Sequence, residues 1–265
     1  MVTSPHPPAP RAERPAHVSD LLRLVTRDPG RPRLTWYGDD GERVELSGAV
    51  LENWVNKTTN LLVEEFDAGP GTRVVLDLPV HWRTVVWAFA AWRVGTTVVL
   101  TPAGDDGTTG AGATRPDVVV TTRPDLWAGT RAELVAVTLP ALARRFDGDL
   151  PGGAVDAASA VMTYGDQVGW APEPDRAGAA IESAAGTVVS HADLVPGSPS
   201  PAGAPAGARV LARGGTTVEE ALRTVLAVLA DDGSVVQLSP DRARALAEDQ
   251  GALARLVTTE RITVS

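Results

Sequence analysis

Residues Glu182 to Val195 read ESAAGTVVSHADLV, and this stretch decides the fold. A short apolar run precedes it, and the stretch itself contains no lysine or arginine. It contains a glycine, then two valines, then adjacent serine and histidine residues, and a leucine three positions after the histidine. The residues that define the pattern are Gly186, Val188, Val189, Ser190, His191 and Leu194.

The segment from Arg73 to Pro102 predicts a parallel βαβ unit. Two β-branched runs, RVVLDLP and GTTVVLTP, flank the apolar stretch HWRTVVWAFAAWRV. Runs without alternation suit strands that are covered on both faces, and a helix that is apolar all round is buried. Further strands are predicted at 117–122 and 134–139. We therefore expect an α/β fold with doubly wound, mostly parallel sheets, in which ligands bind at the carboxyl ends of the strands.

Composition divides the chain into three parts. Residues 1–18 are rich in proline and predict a disordered tail. Residues 19–175 predict a first α/β subdomain, and residues 176–265 predict a second, partial one within the same larger domain. In the second part, Thr217 and Glu220 have the spacing of a capping box, which predicts a helix start.

These elements, in this order, resemble the adenylate-forming superfamily of acyl-CoA synthetases, adenylation domains and luciferases. In that superfamily a strand leads into a Ser/Thr/Gly-rich phosphate loop, then into Lys-Gly-Val-x-x-Ser/Thr-His-x-x-Leu and a helix. Here the tail from Gly186 to Leu194 is retained, but the phosphate loop is missing and Ala185 stands in place of the lysine. The earlier part of the chain also matches, at Leu46, Ser47, Gly69, Gly71, Arg73, Val74, Leu78, Pro79 and Gly95. The resemblance implies two subdomains like the N-terminal region of acyl-CoA synthetases.

The resemblance also implies that catalytic parts are missing. The superfamily uses one lysine in the phosphate loop and another on a mobile lid, whereas this chain has a single lysine, Lys57. We expect Lys57 to be solvated on an amphipathic helix from Ser47 to Phe66. The adenine motif, the ribose-binding aspartate and the lid would all lie beyond the end of this sequence. Because oriented cations supply much of the stabilisation in phosphoryl transfer, we expect negligible adenylating activity.

Composition excludes several other functions. The net charge of −9 and the pI near 5.0 argue against binding to nucleic acid or anionic membranes. The absence of cysteine excludes disulfides, thiolate nucleophiles and the common structural zinc sites. Four histidines are scattered, so we predict no metal site, and no apolar run is long enough to span a bilayer. We expect a cytoplasmic protein.

Two short motifs have alternative interpretations. The tetrapeptide GTTG at 107–110 matches the centre of a phosphate loop, but it precedes a strand, so we expect a solvent loop. In the family pattern His191 lies near the acyl pocket; alternatively, it is a helix-start histidine satisfied by Ser190 or by backbone. A Ser190–His191 hydrolase is not predicted, since the sequence lacks a nucleophile elbow.

Three tryptophans recur every five residues through one predicted helix, at Trp82, Trp87 and Trp92. This spacing distributes them around the helix, so we expect them to pack in the core. The alternative is a partly exposed Trp82 beside His81 that marks an interface or a pocket wall.

The leading functional hypothesis is an acyl-CoA-synthetase-like protein that serves as a non-catalytic binding or regulatory pseudoenzyme. Gly186, Ser190 and His191 are its vestigial cofactor-binding positions, with no catalytic residue, no metal and no resident cofactor. One alternative is half of a split acyl-CoA ligase, an acid–thiol ligase completed by another chain, and only this alternative would bind ATP or AMP. Another is a structural homo-oligomer that covers an apolar patch. Expected partners are therefore a second copy or a ligase half, without nucleic acid or membrane insertion.

Overall fold

A computed structural model describes residues 14–101, 115–183, 185–195, 204–213 and 217–265. The GTTG tetrapeptide at 107–110 and most of the proline-rich tail lie outside these residues. The strands are β1 Pro32–Tyr37, β2 Arg43–Ser47, β3 Arg73–Asp77, β4 Thr97–Leu100, β5 Val118–Thr121, β6 Glu133–Ala136, β7 Val155–Asp156, β8 Ala179–Glu182, β9 Val188–Ser190, β10 Arg209–Ala212 and β11 Ser234–Leu238. The helices are α1 Val18–Val25, α2 Gly48–Phe66, α3 Trp82–Arg93, α4 Ala157–Ala160, α5 His191–Leu194, α6 Val218–Ala230, α7 Pro240–Glu248 and α8 Gln250–Thr259, with 3-10 turns at Pro124–Trp127 and Val161–Thr163.

The described strands form two mostly parallel sheets. The larger has seven strands in the order β7-β6-β5-β3-β4-β8-β9, and all its pairs are parallel except β8 with β9. The smaller has four strands in the order β10-β11-β1-β2, with β2 antiparallel to β1. The predicted α/β fold with mostly parallel sheets is confirmed.

The sheets follow a different division from the predicted subdomains. β8 and β9 come after residue 175, yet they extend the larger sheet, because Ile181 pairs with Val98 of β4. β1 and β2 come early in the chain but pair with strand β11 of the smaller sheet. Each sheet therefore takes strands from both 19–175 and 176–265, and the boundary at 175/176 stays a prediction about domains.

The βαβ unit of β3, α3 and β4 is present as predicted, and its tryptophans are buried. Trp82, Trp87 and Trp92 are 2%, 3% and 0% exposed, which confirms core packing. The alternative of a partly exposed Trp82 is wrong, because its ring packs against Trp54 at 5.4 Å between centroids and lies under the Arg83 guanidinium at 4.3 Å.

Helix α2 begins where the sequence predicts, but its lysine is not solvated. Ser47 caps the helix by accepting a hydrogen bond from the Val50 N–H. The Lys57 side chain is only 13% exposed; it donates to the Tyr164 carbonyl at 2.7 Å and pairs with the Asp166 carboxylate at 2.7 Å. The expected exposure was wrong because the chain at 164–168 folds back across α2 and needs donors for its carbonyls. Lys57 is therefore a structural residue.

The C-terminal part is tied to the first strands by buried charged groups. Arg33 is 1% exposed and donates to the carbonyls of Asp232 and Gly233, at the end of α6. Glu260, after α8, accepts hydrogen bonds from Arg43 and Arg209. These donors lower the pKa of Glu260 to about 2, although burial acts in the opposite direction. The capping box at Thr217 is confirmed. No helix in the described parts of the chain is long and apolar enough to cross a membrane.

Candidate functional site

A tight turn between β8 and β9 occupies the position at which the superfamily has its phosphate loop. The Ser183 N–H donates to the Thr187 carbonyl at 2.9 Å, and the Gly186 N–H donates to the Ser183 carbonyl at 2.9 Å. The Thr187 N–H donates to Ser183 Oγ at 3.0 Å. Gly186 has φ +80°, which favours glycine, while a Cβ there would meet nothing within 4 Å. Glycine is therefore required by the backbone of the turn and not by a crowded neighbour.

This turn offers little to a phosphate group. Phosphate loops bind through free backbone N–H groups and a positive charge. Here the N–H groups of Ser183, Gly186 and Thr187 are all used within the turn. The residue before it, Glu182, is an acid that pairs with Arg73 at 2.7 Å between Nη2 and Oε2. The turn thus presents neither free donors nor an unpaired cation from these residues.

Ser190 serves as the N-cap of α5. Its Oγ accepts from the Asp193 N–H at 3.2 Å and donates to the Asp193 carboxylate at 2.6 Å. The backbone of this helix start is held to the strand before it, since the His191 N–H donates to the Gly178 carbonyl. Both roles of the Ser190 hydroxyl are therefore structural.

His191 is buried without a hydrogen bond to its ring. The residue is 1% exposed, and neither Nδ1 nor Nε2 has a hydrogen-bond partner among the described residues. Ser190 does not satisfy it, because the serine hydroxyl is bonded to Asp193. Burial lowers the pKa of His191, and the backbone of Gly95 and Thr96, which approaches the ring without reaching hydrogen-bond geometry, opposes this effect only in part. The ring is therefore neutral near pH 7.

The three predicted cofactor-binding residues do not form one site. Gly186 lies at the edge where the parallel strands end, which we name the carboxyl edge of the larger sheet. β9 then runs antiparallel to β8, with Ser190 opposite Ala179, so His191 lies at the other, amino edge. A three-residue strand spans roughly 10 Å, so Gly186 and His191 are too far apart to contact the same small group.

At the amino edge, His191 lines a cleft of about 480 Å³ together with His17. The centroids of the two rings are 6.0 Å apart. His17 Nδ1 accepts from the Ser19 N–H, and its Nε2 lies 3.2 Å from the Trp92 carbonyl, which fixes the neutral Nε2–H tautomer. Burial, and then His191, lower the pKa of His17 to about 4. The other charged or aromatic residues of the lining are Asp20, Arg23, Arg93, Trp170, Glu173 and Arg176.

At the carboxyl edge, the main buried acid accepts three hydrogen bonds. Asp77 is 7% exposed and accepts from Thr121 Oγ1 at 2.6 Å, from Trp127 Nε1 at 3.0 Å and from Arg123. Three of the roughly four acceptor positions of this carboxylate are therefore used within the protein. In the described residues, no group of three or more His, Asp or Glu side chains is arranged to hold a metal ion.

The fold is that of the N-terminal domain of acyl-CoA synthetases and amide bond synthetases. The N-terminal domain of FACL13 from Mycobacterium tuberculosis matches with a TM-score of 0.67 and 14% identity, over 94% of this chain and 62% of that one. Amide bond synthetase McbA from Marinactinospora thermotolerans matches with a TM-score of 0.64 and 17% identity, over 93% and 48%. A benzoate CoA ligase from Burkholderia xenovorans matches with a TM-score of 0.64 and 14% identity, over 84% and 45%. The chain thus spans about half the length of these two synthetases.

No family model matches the chain. A protein of Mycobacterium tuberculosis, the "TIGR03089 family protein", is 34% identical over 252 residues, which cover 91% of this chain and 93% of the relative. The chain therefore belongs to the TIGR03089 family. Its predicted resemblance to the N-terminal region of the adenylate-forming superfamily is confirmed.

The residues of the amino-edge cleft are not grouped by any sequence motif. His17 lies at the start of α1, Arg93 at the end of α3, and Trp170 and Arg176 in the long connection before β8. These segments are far apart in sequence and share no motif. Only the pairing of β8 with β4 brings them beside His191, and no local pattern indicates that pairing.

Proposed function

We propose that the protein is a non-catalytic, acyl-CoA-synthetase-like pseudoenzyme with a binding or regulatory role. The observation that carries this proposal is the turn at 183–187, whose N–H groups at Ser183, Gly186 and Thr187 are consumed by internal hydrogen bonds. Adenylation develops negative charge on the transferring group, and a site without oriented donors cannot stabilise it. Gly186 and Ser190 would then be remnants of the motif that now serve the turn and the helix cap.

The engagement of nearby cations supports the same proposal. Arg73 pairs with Glu182, and Arg123 pairs with Asp77. Releasing either of them to bind a phosphate would leave a buried or partly buried acid without its partner, which costs free energy. A phosphoryl-transfer site at the carboxyl edge could form only if these ion pairs were broken.

The test is acid-dependent exchange of pyrophosphate into ATP. We expect the purified chain, given magnesium and a panel of fatty and aromatic acids, to show no more exchange than a reaction without protein. A full-length acyl-CoA synthetase in the same buffer serves as the positive control. Exchange that requires both the chain and an acid would overturn the proposal.

A split ligase is the second candidate. It is favoured by the extent of the match, since the chain spans 48% of the amide bond synthetase McbA. In that case a separate chain would supply the other half, and ATP or AMP would bind between the two. Affinity purification from native extract should then recover a ligase half in equal amount; light scattering that shows a pure homo-oligomer would favour the structural alternative. We propose the cytoplasm as the location in either case.

A further inference from the structure

The ring of His191 is a buried polar group whose hydrogen bonds are not made. Leaving such a group unpaired costs about 1–3 kcal/mol, so buried polar atoms in proteins nearly always have a partner. Both ring nitrogens of His191 lack one among the described residues, although the residue is 1% exposed. His191 lines the amino-edge cleft, so a molecule in this cleft can supply the missing partner once the buried ring turns towards it.

The charges around the cleft indicate the chemistry of that molecule. Arg23 is neutralised by Asp20 through an ion pair. Arg93 is hydrogen-bonded to the Asn56 amide oxygen, and neither Arg93 nor Arg176 has a carboxylate within ion-pair distance in the described part of the chain. Glu173 is the remaining acid of the lining and is exposed. The lining of the cleft therefore has three arginines against two acids, while two acids outside the lining, Glu52 and Asp175, act on Arg93 and His191 respectively.

We propose that the amino-edge cleft binds a small oxyanion, a carboxylate or a phosphate group, that accepts hydrogen bonds from His191 and from the guanidinium of Arg176. Guanidinium groups match the geometry of both kinds of oxyanion. The neutral imidazole of His191 can donate one N–H to an oxygen atom. Trp170, which is 67% exposed beside this cleft, offers an aromatic face to any apolar part of the ligand.

This site is distinct from the position of the phosphate loop. The turn at 183–187 lies at the carboxyl edge of the larger sheet, and His191 lies at the amino edge. The inference goes beyond the proposed function and does not depend on it, because the oxyanion is bound and not converted. A catalytically inactive chain and an active one would both carry the site.

Histidine NMR tests the proposal directly, because the chain has only four histidines. Sodium phosphate and sodium benzoate are titrated separately into labelled full-length protein, and sodium chloride at equal ionic strength is the reference. We expect at least one of the two oxyanions to shift the ring resonances of His191 and His17 saturably, with no shift from chloride. His81, which lies elsewhere in the core, is the internal control and should not respond. Tighter binding of benzoate would identify a carboxylate ligand stacked on Trp170, and tighter binding of phosphate a phosphate ligand.

A matched pair of variants identifies the cation. Arg176→Gln should weaken oxyanion binding by about tenfold or more, as expected for loss of a charge-assisted hydrogen bond. Arg131→Gln also removes an exposed arginine near the amino edge, but four strands away before β6, and should leave binding unchanged. Failure of both oxyanions to shift His191, or an equal effect of the two variants, would overturn the proposal.

Discussion

The two edges of the larger sheet differ in how completely their polar groups are bonded. At the carboxyl edge, Asp77 has three donors, and the N–H groups of Ser183, Gly186 and Thr187 are used within their own turn. At the amino edge, His191 has no hydrogen bond to its ring and Arg176 has no ion pair among the described residues. In open α/β sheets ligands usually bind at the carboxyl edge. Among the described residues, the unpaired histidine ring therefore lies at the edge opposite to the one at which such sheets usually bind ligands.

The largest expected effect concerns Asp77. Asp77→Ala leaves the Trp127 N–H, the Thr121 hydroxyl and the Arg123 guanidinium without their acceptor, so the free energy of unfolding should fall by about 3 kcal/mol or more. Urea denaturation followed by tryptophan fluorescence measures this change. Asp125→Ala, at an exposed acid in the same region, should change stability by less than about 0.5 kcal/mol. Equal effects would show that the carboxyl edge is not held by this network.

The next effect is on the pH dependence of stability. Burial, and then Arg83, lower the pKa of His81 to about 3, whereas an unfolded histidine titrates near 6.5. The unfolded state therefore binds more protons between these values, and stability should fall as the pH is lowered. Between pH 6.5 and 5 this group alone accounts for up to about 2 kcal/mol. His17 should act in the same direction down to about pH 4.

The His81→Asn variant separates the histidines. Asparagine retains the N-cap of α3, in which His81 now accepts from the Arg83 N–H, but does not titrate. Urea denaturation at pH 7, 6 and 5 should show a smaller loss of stability for the variant than for the parent chain. Glu260 does not interfere, because its depressed pKa makes its contribution fall only below about pH 4.5, towards about 2. A pH slope that the variant leaves unchanged would argue against a buried, neutral His81.

A smaller effect is expected at Lys57, which holds the chain at 164–168 beside the cleft. Lys57→Met removes the hydrogen bond to the Tyr164 carbonyl and should cost about 1–2 kcal/mol. Because Val168 lines the amino-edge cleft, hydrogen exchange in 164–168 should accelerate and oxyanion binding should weaken. Glu64→Gln, an exposed change on the same helix, is the control and should alter neither quantity. Binding that persists with a loosened loop would show that this loop does not shape the cleft.

An effect of similar size, confined to stability, is expected at Gly186. Gly186→Ala places a side chain at φ +80° and should cost about 1–2 kcal/mol through backbone strain alone. Gly129→Ala, where a Cβ also meets nothing within 4 Å and φ is not in the left-handed region, should have almost no effect. Thermal denaturation compares the two variants. Oxyanion binding at the amino edge should be equal in both, since the turn lies at the opposite edge.

The sequence predicted the elements that depend on local chemistry. The βαβ unit of β3, α3 and β4 follows from two β-branched runs around an apolar helix, and the cap of α6 follows from Thr217 and Glu220. The motif from Gly186 to Leu194 correctly indicated the superfamily fold. These features could be predicted because each is specified by residues close together in the chain.

The candidate site could not be predicted in the same way. Lys57 was expected in solvent because its helix is amphipathic, but the chain more than 100 residues later covers it. His191 was grouped with Gly186 because they share a motif, yet the antiparallel course of β9 places them at opposite edges. The cleft itself combines α1, α3 and the connection before β8. Such arrangements depend on which strands pair, and sheet order is not encoded in any local pattern.

Along the sequence, the strands of the larger sheet lie between those of the smaller sheet, and this affects how the chain folds during synthesis on the ribosome. β1 is among the first strands to emerge, but its partner β11 is almost the last, and Arg33 lies 199 residues before the Asp232 carbonyl that it binds. The seven-stranded sheet needs no residue beyond 190, so it can assemble while synthesis continues. β1 and β2 must wait as an unpaired, partly apolar hairpin until β11 is made, and such edges are prone to wrong pairing. A nascent chain of this protein therefore has a vulnerable interval that ends only when β11, Ser234–Leu238, has been made.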